Sequence, residues 1–483
     1  MRTIQNILLG LVAFTVGITT IQAENMHTQK KQKSTMNGWS SIGPSNIHGR
    51  ILAIHIDVNN SGKIYAGTAG SGLWVTTNNG GTWSRCTGYT GSAAVSAITQ
   101  GNDGRLFIGT GEGLNAYYGS PGVTTNTLAY GIKGDGIYIS DDGGNTFSHI
   151  GSTSLWVAVN SMAYDKKNNK LYVATNSGLK VSSDNGNSFV DAMNNSFKTF
   201  DVKVGSDGTV ICSVLSGNGD VFVSTDDGNS FQSVCGSAST KIPNTAGRIS
   251  VAIAPSDPNI MYAFAERNMG DFYGVYVSND KGEIWTKILN EGGYTDPMVY
   301  VGAYANAIAV SPINPSKILT GSSRLYEGVR VQTDTSSQDV IYGWLPKDNS
   351  FSNVSLTIHT IVYTERTIYI GTSLGIFFST NDGQTFSAGS RYLSNLQVYS
   401  MSVSNDGRII AGTRENGSIY MLNPQDYNAT GSHLFYGDGG KSAFSLLKPD
   451  ALFYLSSYGI GYRRASIEST PQAPEEWYKV TAL

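Results

Sequence analysis

The chain has 483 residues, a formal net charge of −3 and 14% charged residues, against the roughly 25% usual in soluble domains. With no basic surplus and no Lys/Arg stripe interleaved with aromatics, the sequence excludes an electrostatically bound nucleic acid. Gly, Ser, Asn and Thr dominate the turns, while Val, Ile, Tyr and Phe fill the runs between them, and Gly reaches 57 copies and Tyr 27. That is the composition of an all-β protein.

The first element in chain order is Arg2, an apolar run from Ile7 to Ile18 and a small-residue stretch ending at Ala23. It reads as a secretory signal peptide over residues 1–23, followed by a disordered linker over residues 24–37. An apolar core of about a dozen residues is too short to span a bilayer, and no later stretch approaches the roughly 20 residues needed. The expectation is an exported chain, periplasmic, cell-surface or secreted, with no transmembrane segment and, for want of a Cys after the apolar run, no lipid anchor.

An eight-residue turn, Ser-x-Asp-x-Gly-x-Thr-Trp, then recurs in six variants: Thr76 to Trp83, Ser140 to Phe147, Ser182 to Phe189, Ser224 to Phe231, Ser278 to Trp285 and Ser379 to Phe386. Its Asp or Asn can bind backbone N–H groups of the same turn, its Gly supplies a positive φ, and the closing aromatic is an apolar anchor suited to lie between sheets. The acids and amides concerned, Asn78, Asp142, Asp184, Asp226, Asp280 and Asn381, therefore read as structural turn residues. Their gaps of 64, 42, 42, 54 and 101 residues leave room for one degenerate copy at Asp334. Two further repeats without the turn follow, at Ser418-Ile-Tyr-Met-Leu and Gly461-Tyr-Arg-Arg.

The first repeat shows four strands, Arg50 to Asp57, Lys63 to Gly67, Leu73 to Thr76 and Trp83 to Cys86, here labelled A to D from the axis outward. Four antiparallel strands repeated every 42 to 64 residues predict a β-propeller of about nine four-stranded Asp-box-type blades. Seven blades occupy residues 38–390, and two lacking the turn occupy 391–483. Nine exceeds the usual 4 to 8 blades of a ring, so the chain is expected to form about one ring plus the start of a second, or one oversized ring. Trp39 reads as an orphan D strand that could close a blade.

Trp39-Ser-Ser-Ile-Gly-Pro, Gly49-Arg-Ile, Ile64-Tyr-Ala-Gly-Thr and Gly72-Leu-Trp-Val-Thr resemble the secreted Asp-box propellers grouped with sortilin-like, xyloglucanase-like and sialidase-like proteins. Gly109-Thr-Gly-Glu112, Gly412-Thr-Arg-Glu-Asn-Gly417 and Gly437-Asp-Gly-Gly440 resemble phrases of large bacterial cell-envelope members. The likeness implies the fold and leaves function open, because such propellers include enzymes, sorting receptors, assembly factors and secretion components.

Strand alternation puts the short A-to-B turns and the repeated turn motif on one face and the B-to-C and D-to-A loops on the other, where long irregular loops on a rigid scaffold concentrate function. The ligand-binding candidates on that face are Tyr117, Tyr118, Tyr130, Arg267, Tyr273, Arg324, Tyr326, Arg414, Asn416 and Asp438. Aromatic faces stack while Arg and Asn direct hydrogen bonds, a mixture suited to a protein or glycan partner. A glycosidase would need two carboxyl groups about 5 to 9.5 Å apart, and Glu112, Glu266 and Glu415 are the weak candidates.

The catalytic case has gaps. A xyloglucanase-like enzyme should carry an Asp in the first B-to-C loop, which reads Thr68-Ala-Gly-Ser-Gly72. A sialidase-like one should offer an Arg triad; Arg50 and Arg248 both occur in Gly-Arg-Ile, which reads as repeat structure. The six histidines show no metal-ligand spacing, so neither metal nor cofactor is expected, and His55 and His359 read as packed strand residues. Cys86, Cys212 and Cys235, an odd number, argue against a disulfide framework. The sequence thus points to a non-catalytic exported binder, with a glycoside hydrolase or a scaffold component of an envelope or secretion assembly as alternatives.

Overall fold

The computed structural model describes residues 41–483 apart from 114–130, 194–196, 216, 245, 268–269, 290–296, 299–300, 332–340, 348–355, 425–427, 436, 446–451, 457–460, 465–477 and 481–483. Trp39, the degenerate turn at Asp334 and the loop tyrosines Tyr117, Tyr118 and Tyr130 lie outside these residues. Seven separate four-stranded antiparallel sheets come first along the chain. An eight-stranded sheet follows, built of two four-strand units joined by a short parallel contact between residues 416–417 and 437–438. This is the expected β-propeller, all-β throughout.

Blade one shows how the sequence makes a blade. Its strands are A, Ile51–Ile56; B, Ile64–Thr68; C, Leu73–Thr76; and D, Ser84–Arg85. The B strand is buried at every residue, because a blade in a ring is covered on both faces and its central strands read as continuous apolar runs. The penultimate Gly of the B strand sets how closely blades approach. A Cβ on Gly67 would lie 2.4 Å from the Val95 carbonyl oxygen of blade two, and one on Gly109 would lie 2.5 Å from the Val159 side chain of blade three. The Thr that follows turns inward: Thr68, Thr110, Thr175, Thr372 and Thr413 each donate a hydroxyl hydrogen bond to a carbonyl of the B-to-C turn.

The same glycine answers the question of the ring. In blade seven, Gly371 meets Ile51 of blade one, with a Cβ-to-Cγ2 approach of 2.9 Å, while Gly412 of blade eight meets the Gly440 backbone of blade nine. The A strand of blade one packs on the A and B strands of blade seven, Ile358–Tyr363 and Ile368–Thr372. Ile51, Ile54, Trp74 and Trp83 share a buried cluster with Tyr369, Ile376 and Leu393. Seven blades therefore close on themselves, and blades eight and nine begin a second array. The chain just before blade one lies against blade eight: Ser45 N–H donates to the Ala429 carbonyl at 2.9 Å, Asn46 exchanges two hydrogen bonds with Gly431, and Ile47 packs with Ala411 and Ile419.

The repeated turn is built as its residue types require. In the Ser182–Phe189 copy, Ser182 donates to Asp184 at 2.7 Å and accepts from Gly186 N–H at 2.8 Å, while Asp184 accepts from the Ser188 amide at 2.9 Å and its hydroxyl at 2.5 Å. The glycine at the fifth position has positive φ in all six copies, and so does the residue before it, from Asn79 to Asp382. Each closing aromatic packs on the preceding blade: Phe147 on blade one, Phe189 on two, Phe231 on three, Trp285 on four, Phe386 on six. Trp83 completes the circle by donating its indole N–H to Gly389 of blade seven at 2.7 Å. All three cysteines are free thiols.

Candidate functional site

The A strands line the axis, and the residues at their entries converge where the D-to-A and B-to-C connections meet. Arg50 and Leu52 enter blade one, Ser96 blade two, Asn160 blade three, Arg248 blade five and His359 blade seven. With Gly111, Glu112 and Gly113 from the B-to-C loop of blade two and Tyr304 from the approach to blade six, they line a cavity of about 80 Å³. That volume holds a few water molecules.

Two guanidinium groups lie against the Tyr304 ring in its wall. Arg50 forms a buried ion pair with Glu112, donates to Gln397 at 3.2 Å and lies 5.3 Å from the centre of the Tyr304 ring. Arg414, from blade eight, stands 5.7 Å from the same ring. The Tyr304 hydroxyl donates to Glu415, and His359 meets the Tyr304 ring edge-on at 5.0 Å. Arg248 is held differently. Its guanidinium donates to the carbonyls of Ala303, Tyr304 and Asn306 at 3.3, 3.0 and 3.3 Å. Nearby, Lys198 at the entry of blade four donates its ammonium to the Gly113 carbonyl at 2.6 Å.

Burial dominates the electrostatics. It pushes the Lys198 ammonium down to about 7, helped by the charge of Arg248, and pulls Arg248 itself down to about 10 against Asp201 and Glu266. His359 falls well below the usual imidazole range, through burial and then the surrounding arginines, so it is neutral at physiological pH.

The three carboxylate candidates are all engaged. Glu112 also accepts the Ile132 amide at 2.8 Å, closing the base of the blade-two loop. Glu266 accepts the amides of Arg248 at 2.7 Å and Gly270 at 2.8 Å and is 2% exposed. Glu415 stands at a left-handed φ of 60°, reaches Tyr304, and has Arg414 Nε at 3.7 Å. Glu112 and Glu415 are thus brought to the axial mouth, one on each side of the Arg50–Tyr304 stack, while Glu266 braces the blade-five hairpin.

Among the other candidates, Arg414 joins the site and Asp438 supports it, accepting the Glu415 amide at 2.7 Å. Asn416 is buried and donates to the Ser373 carbonyl at 3.1 Å, tying blade eight to blade seven. Tyr326 is 2% exposed within the core between blades five and six. Arg324 N–H donates to the Pro297 carbonyl. Arg267 stacks on Tyr273 at 5.4 Å from the ring centre, with Lys287 at 4.9 Å, a separate cluster on the blade-five hairpin.

Lys198, Arg248, Arg50 and His359 are the site residues that motif reasoning passed over. The signal for the arginines was the repeated Gly-Arg-Ile, a cation at an otherwise apolar strand entry in two blades. Lys198 offered only the same placement without the phrase. Among the described residues no group of three or more His, Cys, Asp or Glu is arranged to hold a metal ion.

By sequence, no protein-family model and no curated protein matches the chain. By structure, it is similar to an ancestral GH74 enzyme, with a TM-score of 0.64 and 17% identity over 90% of this chain and 63% of that one. It is also similar to the GH74 enzyme of Niastella koreensis, with a TM-score of 0.55 and 15% identity over 90% of this chain and 73% of that one. The chain thus spans less than two thirds of the first of these, and at such identities the likeness is one of fold.

Proposed function

We propose that this is an exported, non-catalytic β-propeller that binds a protein or glycan partner through the face carrying its B-to-C and D-to-A loops, centred on the axial mouth. The observation that carries this reading is the state of the carboxylates. Hydrolysis of a glycoside needs one carboxyl to give a proton and another to attack or to activate water. Glu112 is locked in a buried pair with Arg50 and caps the Ile132 amide. Glu266 is consumed by two backbone amides. Groups committed in this way fix loops and arginines, which is the construction of a recognition surface.

The reading is tested by replacing Glu112, Glu266 and Glu415 singly with Gln and assaying the purified variants against neutral polysaccharides, acidic polysaccharides and sialosides. The expected outcome is no turnover by any form. Turnover by the wild type that disappears in one variant would replace the binding reading with a hydrolase. Export is tested by sequencing the N-terminus of the protein recovered from outside the cytoplasm, with Glu24 expected as the first residue.

A further inference from the structure

In the seven blades of the closed ring, no described A-strand residue is exposed. Blade eight differs. Its A strand is Val398–Val403, and Val398, Tyr399, Met401 and Val403 are 50, 58, 61 and 55% exposed. These are positions that the fold elsewhere covers. Val398, Met401 and Val403 pair with Thr413, Ala411 and Ile409 as Ile51, Ile54 and Ile56 of blade one pair with Thr68, Ala66 and Ile64. In blade one that row packs on blade seven, with Ile51 fully buried and Ile54 7% exposed. Closure of the ring between blades one and seven leaves blade eight without such a neighbour, yet it keeps the apolar residues.

The two faces of this strand have different work. Ser400 and Ser402 hold blade nine, accepting the Ser442 amide at 2.9 Å and the Phe444 amide at 3.1 Å. On the opposite face Met401 lies beside Ala411 and then Ile419 in the ladder, the two residues on which Ile47 packs. The exposed row thus continues an interface that the chain before blade one already makes, and begins where that contact ends. It is also the open edge of its sheet. A sheet edge presents a row of unpaired N–H and C=O groups, which proteins commonly guard with Lys, Pro or another charge. Val398–Val403 contains none of these.

The strand's own sequence, Val-Tyr-Ser-Met-Ser-Val, selects its partner. Antiparallel pairing with itself about a two-fold axis through Met401 sets Tyr399 opposite Val403 and Ser400 opposite Ser402, so apolar meets apolar and hydroxyl meets hydroxyl. Moving the axis by half a residue sets Met401 against a serine. We infer that the A strand of blade eight pairs edge to edge with the same strand of a second copy, forming a closed, symmetric dimer in which both copies use one patch. The four apolar residues bring on the order of 400 Å² per copy, half of what each partner gives to a standard interface. The dimer is therefore weak, with a dissociation constant of about 10 to 100 µM.

Sedimentation equilibrium of the full chain between about 1 and 200 µM tests this, with a monomer–dimer equilibrium in that range as the expected result. Met401→Lys sets two ammonium groups face to face at the axis and should leave only monomer. Its melting temperature at about 1 µM, where both forms are monomeric, should match that of the wild type, because the residue is exposed there. Disulfide cross-linking reports the register. Met401→Cys, oxidised with copper phenanthroline, should give a covalent dimer, since directly opposed Cβ atoms lie about 4.5 to 5.5 Å apart. Val403→Cys should not, because an offset of four residues separates its two copies by on the order of 13 Å. The wild type, with its three free thiols, is the background.

A monomer at every concentration, species that grow beyond the dimer, a dimer that survives Met401→Lys, or cross-linking of Val403→Cys equal to that of Met401→Cys would each overturn the inference. A lowered melting temperature in Met401→Lys would overturn it as well, because it would show that the chain's own residues cover the strand.

Discussion

At the residue scale, the repeated turn works through geometry that its consensus only half declares. Glycine at the fifth position was expected to supply the positive φ, and it does. The fourth position is left-handed as well, at 58° in Asn185, 60° in Asp227 and 57° in Asp382, which explains why Asn, Asp and Gly occupy it. Their small polar or absent side chains tolerate that region. Lys281 is the exception, and its ammonium is tied to Asp207 of the neighbouring blade at 2.6 Å.

The turn acids also make an acid-stability device. The Ser188 hydroxyl and amide hold Asp184 at about 2, and Ser230 does the same for Asp226, against an ordinary value of 3.8. A carboxyl with a depressed folded value contributes its stability above the unfolded value and loses it as pH falls through the folded one. The melting temperature should therefore drop as pH falls from 3.8 towards 2. Asp184→Asn should flatten part of that drop, as followed by circular dichroism.

Lys198 gives the same slope in a higher pH range, here because burial disfavours its charged form. Its folded value of about 7 lies below the ordinary 10.5, so the folded state binds fewer protons between those values and stability rises with pH across them. In Lys198→Met that rise should be smaller, as measured by urea titrations at pH 7, 8.5 and 10.

At the element scale, the B strand is the ruler of the fold. Val or Ile on Gly67 would collide with the Val95 backbone 2.4 Å away and the Val95 side chain at 2.7 Å. Gly67→Val is therefore expected to cost at least the 1 to 3 kcal/mol typical of overpacking, read as a lower denaturation midpoint. The closing aromatics are the other half of each joint. Trp285 is 1% exposed and sits in the cluster it forms with Val223, Val234 and Ile242 of blade four, so Trp285→Ala should destabilise by about 3 to 5 kcal/mol.

Both parts of the joint were visible in the sequence, because a short apolar run ending in Gly-Thr and a turn ending in an aromatic are local patterns. The axial site was much less so. Arg50 and Arg248 are separated by about 200 residues and line one cavity, with Lys198 bonded to Gly113 of its wall, only because the ring brings strand entries together, which no local window contains. Tyr326 shows the converse: a tyrosine on the irregular face by strand alternation can still turn its ring into the core, since alternation places a residue and packing aims it.

At the scale of the whole molecule, the closed seven-blade ring and the following pair of blades are joined at the axial mouth. Blade eight contributes Arg414 and Glu415 to the Tyr304 stack, and Asn416 to the Ser373 carbonyl of blade seven. Glu112 links the blade-two loop to the same cluster through Arg50. Breaking one partner of a buried pair leaves the other charge unpaired and costs about 3 to 5 kcal/mol. Glu112→Gln should therefore lower stability by a large part of that amount, and the double variant Glu112→Gln, Arg50→Gln should recover some of it. A double-mutant cycle by chemical denaturation measures the coupling.

The aromatic of each blade leans on the blade made before it, with one exception imposed by circularity. Phe147, Phe189, Phe231 and Trp285 find their docking surface already synthesised when they emerge, so those joints can be completed in the order of translation. Trp83 must wait for Gly389 and Ile376, some three hundred residues later. The first blade made is thus the last to be sealed, and its exposed indole marks every nascent chain whose ring is still open.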